Sequence, residues 1–132
     1  METLLRAALL DWLRSDLTLA DLLNAVEEES PVRATPPWLG IATSASIDWS
    51  AKNRIGREVR IALELQTRGD DAVGDGALVA AIEKRMTAFP RNQSGFDMIT
   101  VQFLRARAER RPQNLLTILL EYRFRILETS PE

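Results

Sequence analysis

Apolar and polar positions alternate most regularly in the last long apolar run of the chain, from Leu115 to Leu127. Every second residue there is large and apolar, and most of the residues between them are polar or charged. This period of two is typical of a strand with one buried face and one solvent-exposed face. We therefore predict a central strand, with the rest of the chain covering its apolar side. Its predicted buried residues are Leu116, Ile118, Leu120, Tyr122, Phe124 and Ile126.

Three other segments repeat apolar residues at the spacing of an amphipathic helix. The first extends from Thr3 to Arg14, the second from Leu19 to Val26, and the third precedes Pro90. We interpret the acidic run 27–29 as the solvated, frayed end of the second helix. The apolar positions of the three helices are Leu5, Ala8, Leu9, Trp12 and Leu13, then Leu19, Leu22, Leu23 and Val26, then Leu78, Ile82, Met86 and Phe89.

Three further stretches alternate as strands do: Trp38–Ile47, Val59–Leu65 and a third that starts at Ile99 and continues past Arg107. Because the proline-rich segment 30–37 disfavours both helix and central strand, we predict a loop there. The order α-α-β-β-α-β-β with short connections indicates an α+β fold, a four-stranded and mainly antiparallel sheet with helices packed on one face. In the first strand, the side predicted to be buried carries Leu39, Ile41, Thr43, Ala45 and Ile47.

Composition narrows the function classes. The 132 residues include no Cys and no His, which excludes disulfides, thiolate chemistry, imidazole bases and zinc sites built from Cys and His. A formal net charge of −2 disfavours direct binding to nucleic acid. Charged residues interrupt the apolar N-terminus, so we expect neither a signal peptide nor a membrane span.

Two local clusters resemble chemical sites only weakly. Asp70, Asp71 and Asp75 do not have the spacing of a calcium loop, and we interpret them as a polar turn that caps the third helix. Ser50 and Lys52 could form a serine–lysine pair, but nothing in the sequence predicts the burial that such a lysine requires. We expect no catalytic residue, no metal site and no cofactor.

A contact surface is a stronger hypothesis than either of these chemical sites. The exposed sides of the last two strands are rich in arginine, and Trp49 lies in a loop between the first two strands. One explanation is edge protection and solubility, and the other is contact with an acidic surface of a neighbouring subunit. The candidate interface residues are Trp49, Lys52, Arg54, Arg105, Arg107, Glu121, Arg123 and Arg125.

Several local patterns resemble a known family. They are the Leu-Arg-Ala-Ala-Leu-Leu helix at 5–10, Pro-Pro-Trp-Leu-Gly-Ile at 36–41, Asp-Trp-Ser-Ala-Lys at 48–52 before Gly-Arg-Glu-Val at 56–59, and the closing Arg-Phe-Arg at 123–125. With the acidic, glycine-rich linker and the order of elements, they make the chain similar to the tail-completion, or tail-terminator, family of long-tailed phages and gene transfer agents. The resemblance covers nearly the whole chain and implies one tail-terminator-like domain, residues 1–132.

The resemblance further implies a structural virion protein and no enzyme. Such a protein forms a ring, expected to be a hexamer, that caps the tail tube, stops its polymerisation and joins tail to head. The implied partners are copies of itself, the tail-tube protein and a head-completion or stopper protein, with no membrane. DNA would pass through without sequence-specific binding. The implied location is the head–tail junction of the virion, after assembly in the host cytoplasm.

In such a ring, Arg105, Arg107 and Arg123 are expected to meet acids of the next subunit, either 27–29 or Asp70 and Asp71. Two other functions stay open from the residues. One is a head-side stopper or connector protein of the same particle. The other is an unrelated small α+β enzyme or ligand-binding domain, which a deep pocket with convergent carboxylates would favour.

Overall fold

A computed structural model describes residues 1–28 and 34–129. Over these described residues the fold is α+β, with three α-helices and a five-stranded mixed sheet in the order β1-β2-β3-β5-β4. The elements are α1 (Glu2–Arg14), α2 (Leu17–Leu22), β1 (Ala25–Glu27), β2 (Trp38–Asp48), β3 (Gly56–Thr67), α3 (Ala72–Thr87), β4 (Phe96–Arg110), a 3-10 turn (Pro112–Asn114) and β5 (Leu116–Glu128). No helix in the described part of the chain is both long enough and apolar enough to span a membrane.

The last strand lies in the interior of the sheet, as predicted. β5 pairs antiparallel with β3 on one side and with β4 on the other. Leu120, Tyr122, Phe124 and Ile126 are buried, and each contributes about 2 kcal/mol of burial free energy. Ile118 is only half-buried, as is the residue two positions before it, because the β4–β5 hairpin extends beyond the main core there.

Helices α1 and α3 cover the inner face of the sheet with most of the residues that their periodicity predicts. In α1, Leu10 is buried although it was not predicted, whereas the predicted Ala8 and Trp12 are half-buried. α1 buries Leu5, Leu9, Leu10 and Leu13, and α3 buries Leu78, Ile82 and Met86. The two helices are also joined by polar contacts. The Trp12 indole N–H donates to the Arg85 carbonyl at 2.7 Å, and the Arg85 guanidinium lies 3.3 Å from the centroid of the Trp12 ring.

The prediction of a four-stranded sheet was wrong by one strand. Helix α2 ends at Leu22 because Leu23 adopts extended backbone angles, and Ala25–Glu27 forms β1, which pairs parallel with β2. The segment around Val26 is therefore an edge strand and not the end of a helix. A strand of three residues is too short to show a period of two. Residue 29 and the first half of the predicted loop, 30–33, lie outside the described residues.

The predicted buried side of the first strand was correct only for its beginning. The register between β2 and β3 shifts between Ile41 and Thr43, which indicates a β-bulge. One extra residue reverses the faces of all that follow, so Thr43 points to solvent and Ile47 is 62% exposed. Ala45, between them, is exposed as well.

The bulge instead turns two serines toward α1. The Ser44 hydroxyl donates to the Glu2 carboxylate at 2.5 Å and accepts from the Arg6 guanidinium at 2.6 Å. The hydrogen bond from Ser44, followed by that from Ser46, holds the pKa of Glu2 below its ordinary value. This polar link fixes the N-terminal end of α1 against the second half of β2.

The third strand starts three residues earlier than predicted, at Phe96, which is fully buried. The acidic linker has its predicted role as a turn and helix cap. The Asp71 carboxylate accepts the N–H of Gly74 at 3.0 Å, and the Asp75 carboxylate accepts from the Thr67 hydroxyl at 2.9 Å.

Candidate functional site: the outer face of the sheet

The face of the sheet opposite the helices, called here the outer face, carries most of the predicted interface residues. In β3 it presents Glu58 and Arg60, and in β5 it presents Glu121, Arg123 and Arg125. The register places Glu58 opposite Arg125 and Arg60 opposite Arg123. Two arginines directly opposite each other repel, so their guanidinium groups need acids from neighbouring rows.

Glu58 is the acid around which these side chains gather. It is only 9% exposed, the Nε of Arg125 donates to it at 3.1 Å, and the Nε of Arg123 lies 3.8 Å from the same oxygen. Arg123 also donates to the side-chain oxygen of Gln102 on β4. A nearly buried carboxylate is stable only when it is paired in this way.

The Trp49 ring extends the cluster toward the β2–β3 loop. The Arg125 guanidinium lies 5.5 Å from the ring centroid, within the range of a cation–π contact. The loop that holds this ring is ordered by its own hydrogen bonds. The Trp49 N–H donates to the Gly56 carbonyl at 3.0 Å, and the Ala51 N–H donates to the Arg54 carbonyl at 2.9 Å.

A second ion pair lies further along the same face. Both Nε and one terminal nitrogen of Arg105 donate to the Glu121 carboxylate. The hydrogen bond from Arg105 holds the pKa of Glu121 below its ordinary value. An open groove of about 480 Å³ adjoins the pair, and Ala62, Leu104 and the backbone around Thr43 contribute to its walls. Arg107, two residues beyond, is exposed.

Two of the predicted site residues lie outside this face. Arg54 donates to the Asp97 carboxylate at 2.9 Å and to the Glu128 carbonyl at 2.6 Å, so it fastens the loop to the ends of β4 and β5. Lys52 is exposed at the loop tip. The face also includes Glu58, which sequence reasoning missed, because its role depends on strand register rather than on any local pattern.

The acids proposed as partners for the arginines have contacts within the chain. Glu27 pairs with Arg14 at 3.1 Å, and Glu28 pairs with Arg6 at 2.8 Å. Asp71 is the N-cap of α3. These contacts reduce the availability of the acids to another subunit, although they do not test the proposed pairing itself.

The weak chemical candidates have structural contacts. The Ser50 hydroxyl donates to Asp48 at 2.6 Å and accepts from the Gly56 N–H at 3.0 Å, which builds the turn. Among residues 1–28 and 34–129, no group of three or more Asp and Glu side chains is arranged to hold a metal ion. The arrangement on the outer face is that of a charged surface whose arginines and glutamates are paired with one another.

Comparisons with known proteins identify the family of the chain. A chain in the solved structure of the virion of a native gene transfer agent (GTA) particle superposes with a TM-score of 0.82 at 22% identity, over 96% of each chain. At that identity the likeness shows the fold alone. No curated protein sequence matches the chain. The sequence profile of the family described as tail completion protein gp17 matches residues 7–127, nearly the whole chain. The chain therefore belongs to the tail completion protein gp17 family, and the expected family of structural virion tail proteins is confirmed.

Proposed function

We propose that copies of this protein form a ring that caps the tail tube, stops its polymerisation and joins tail to head. The observation that carries the proposal is the family match over residues 7–127. The ring is expected to be a hexamer at the head–tail junction and to be assembled in the host cytoplasm. DNA would pass through it without sequence-specific binding. Its partners are the tail-tube protein and a head-side stopper protein.

The outer face supports a role by contact and not by catalysis. Its charged side chains bind one another in fixed pairs, Arg105 with Glu121 and both Arg123 and Arg125 with Glu58. Such pre-formed networks lose little conformational entropy when a partner binds. We propose that this face, including Trp49, forms part of the contact between subunits. Arg54 stabilises the face indirectly, because it holds the β2–β3 loop against the ends of β4 and β5.

Growth of tail tubes tests the capping role directly. Purified tail-tube protein is allowed to polymerise with and without this protein, and tube lengths are measured in electron micrographs. We expect short tubes of uniform length, each with a ring at one end. Tubes of unchanged length with no terminal ring would contradict capping, and a protein that binds only the head portal would instead be a stopper.

A charge reversal tests the outer face. Arg107→Glu places a carboxylate beside Glu121 on an exposed strand, where folding tolerates it. We expect weaker ring formation in sedimentation, because like charge then opposes the neighbouring surface. The control is Arg91→Glu, an equally exposed arginine before β4. If the rings of both variants are as stable as those of the wild type, Arg107 does not take part in the contact between subunits.

A further inference from the structure

The outer side of β2 carries an apolar ridge that the bulge creates. Ala45, Ile47 and Trp49 follow one another at every second position, and Ile47 is 62% exposed. Trp49 is half-buried beside it and is held in place by the Arg125 guanidinium. We call these three residues the β2 ridge. Large apolar side chains held rigidly on a sheet surface are typical of contact points between proteins.

Among the described residues, the edge of the same strand has no neighbouring strand beyond its first residues. β1 pairs only with Trp38–Gly40 of β2, and in the described chain no strand covers the stretch 41–47. That stretch contains no charged residue and no proline. Exposed edges normally carry such protection, because they otherwise pair with other chains. Two independent features therefore indicate that this end of β2 is covered in the functional state.

On the helix side of the molecule, α1 and the segment after α3 enclose an open groove of about 530 Å³. Its apolar lining comes from Leu4, Ala8, Trp12, Phe89 and Pro90. Leu4 is 47% exposed despite its apolar surroundings. We call this the α1 groove. It lies on the opposite side of the sheet from the β2 ridge, so the two cannot meet within one subunit.

The two surfaces have complementary charge. Near the β2 ridge, the outer face carries the three arginines Arg60, Arg123 and Arg125. They outnumber the acids beside them, which are Glu58 and Glu121. The α1 groove has one charged lining residue, the acid Asp11. Asp11 is exposed. Glu27 and Glu28, the acids first considered as partners, are already paired with arginines of α1.

We propose that the β2 ridge of one copy docks into the α1 groove of the next copy, with Arg60 facing Asp11. The inference rests on the proposed ring and specifies its subunit contact. Ridge and groove are unlike patches on opposite sides of the subunit, so their contact is heterologous. Repetition of a heterologous contact generates a closed ring when the rotation between neighbours closes.

Disulfide trapping tests the contact, since the chain has no native Cys. The double variant Ile47→Cys with Ala7→Cys places one thiol on the ridge and one on the groove rim. After mild oxidation in the presence of tail-tube protein, we expect a ladder of covalent multimers that ends at the ring size. The matched control is Val73→Cys with Ala7→Cys, because Val73 is 86% exposed on α3. We expect that control to form no covalent multimers.

A charge exchange tests the same contact without covalent bonds. Asp11→Arg is expected to weaken self-association about tenfold, and combination with Arg60→Asp is expected to restore it. Asp21→Arg, at an exposed acid of α2 that does not line the groove, is the control and should have no effect. Because all these positions are on the surface, circular dichroism should show unchanged folding.

The outcomes separate the contact from the ring. Rings that form normally, with no ladder and no effect of the charge exchange, would overturn the docking and leave the ring standing. Covalent dimers of Ile47→Cys alone would show β2 edges pairing with each other and would also overturn it. A ladder without closed rings would support the docking and contradict the ring. Absence of self-association under every condition would contradict both.

Discussion

At the scale of single residues, Tyr122 has the least satisfied polar group in the core. Its hydroxyl is buried and has no hydrogen-bond partner in the described part of the chain. An unpaired buried hydroxyl costs free energy that a phenyl ring does not. We expect Tyr122→Phe to raise the free energy of unfolding by about 1 kcal/mol at neutral pH. Denaturation in urea measures the difference. The reverse variant, Phe124→Tyr, adds a hydroxyl to the next inward ring and should lower stability.

The same residue has a testable pH dependence. Burial raises the pKa of Tyr122 to about 12, from an ordinary value near 10. Folding favours the neutral form of the hydroxyl. The free energy of unfolding is therefore unaffected by this group below pH 10 and falls as the pH rises toward 12. We expect the stability of the wild type to fall more than that of Tyr122→Phe over this range. Parallel curves for the two proteins would show that the hydroxyl is solvated.

Two glycines with opposite constraints give a second prediction at this scale. Gly69 has φ of +69°, and an added Cβ would collide with the Arg110 guanidinium, whereas an added Cβ at Gly76 within α3 would meet nothing within 4 Å. We expect Gly76→Ala to raise stability by about 0.8 kcal/mol through helix propensity. Gly69→Ala should lower it by about 1 kcal/mol or more. Thermal unfolding of both variants measures the two changes in stability. Equal stability of Gly69→Ala and the wild type would show that alanine is not strained at this position.

At the scale of elements, the sequence was informative where a strand keeps its alternation over its whole length. β3 and the second half of β5 were predicted because each is long, and their inward residues are uniformly apolar. β1 could not be predicted, because Val26 lies in a strand of only three residues. The bulge in β2 could not be predicted either, since Ile47 continues the apolar alternation of Leu39 and Ile41 and so indicates a regular strand.

The residues of the candidate site were likewise predictable only in part. Glu121, Arg123 and Arg125 share a face because they alternate along β5, and that much follows from the sequence. Arg105 joins them because the register of β4 shifts between Phe103 and Arg105, an irregularity that the alternation does not predict. Glu58 precedes Arg125 by 67 residues, so their hydrogen bond depends on the register of β3 against β5. No local pattern contains that information.

The link between α1 and β2 gives a prediction at this scale. Ser44→Ala removes the hydrogen bond that lowers the pKa of Glu2. A carboxyl group whose pKa is lowered by folding adds stability above its unfolded pKa and loses that contribution as the pH falls through the folded value. Because the site is partly solvated, we expect a loss of about 0.5–1 kcal/mol at pH 7.

The contribution of Glu2 should disappear in acid, so the difference between wild type and Ser44→Ala should shrink below about pH 4. Chemical denaturation at pH 7 and at pH 3 measures it. Thr43→Ala, on the solvent side of the same strand, is the control. An equal loss at both pH values would mean that Ser44 acts by packing alone.

At the scale of the whole molecule, the subunit has two different sides. The outer face has an excess of arginine around Trp49, and the helix side has an apolar groove with Asp11 at its rim. A net charge of only −2 means that copies repel one another weakly. The subunit is therefore suited to stacking side by side, with unlike surfaces in contact.

Such stacking should appear in the thermal stability of the protein. A contact made only by folded subunits stabilises the folded state by mass action, so Tm must rise with protein concentration once association begins. We expect this rise for the wild type, and the same rise at about tenfold higher concentration for Asp11→Arg. Calorimetry over a hundredfold range of concentration, with light scattering on the same samples, measures both. Lowering the salt concentration should enlarge the rise, because the contact between Arg60 and Asp11 is then less screened. If Asp11→Arg associates as strongly as the wild type and shows the same rise of Tm with concentration, the subunit contact lies elsewhere on the fold.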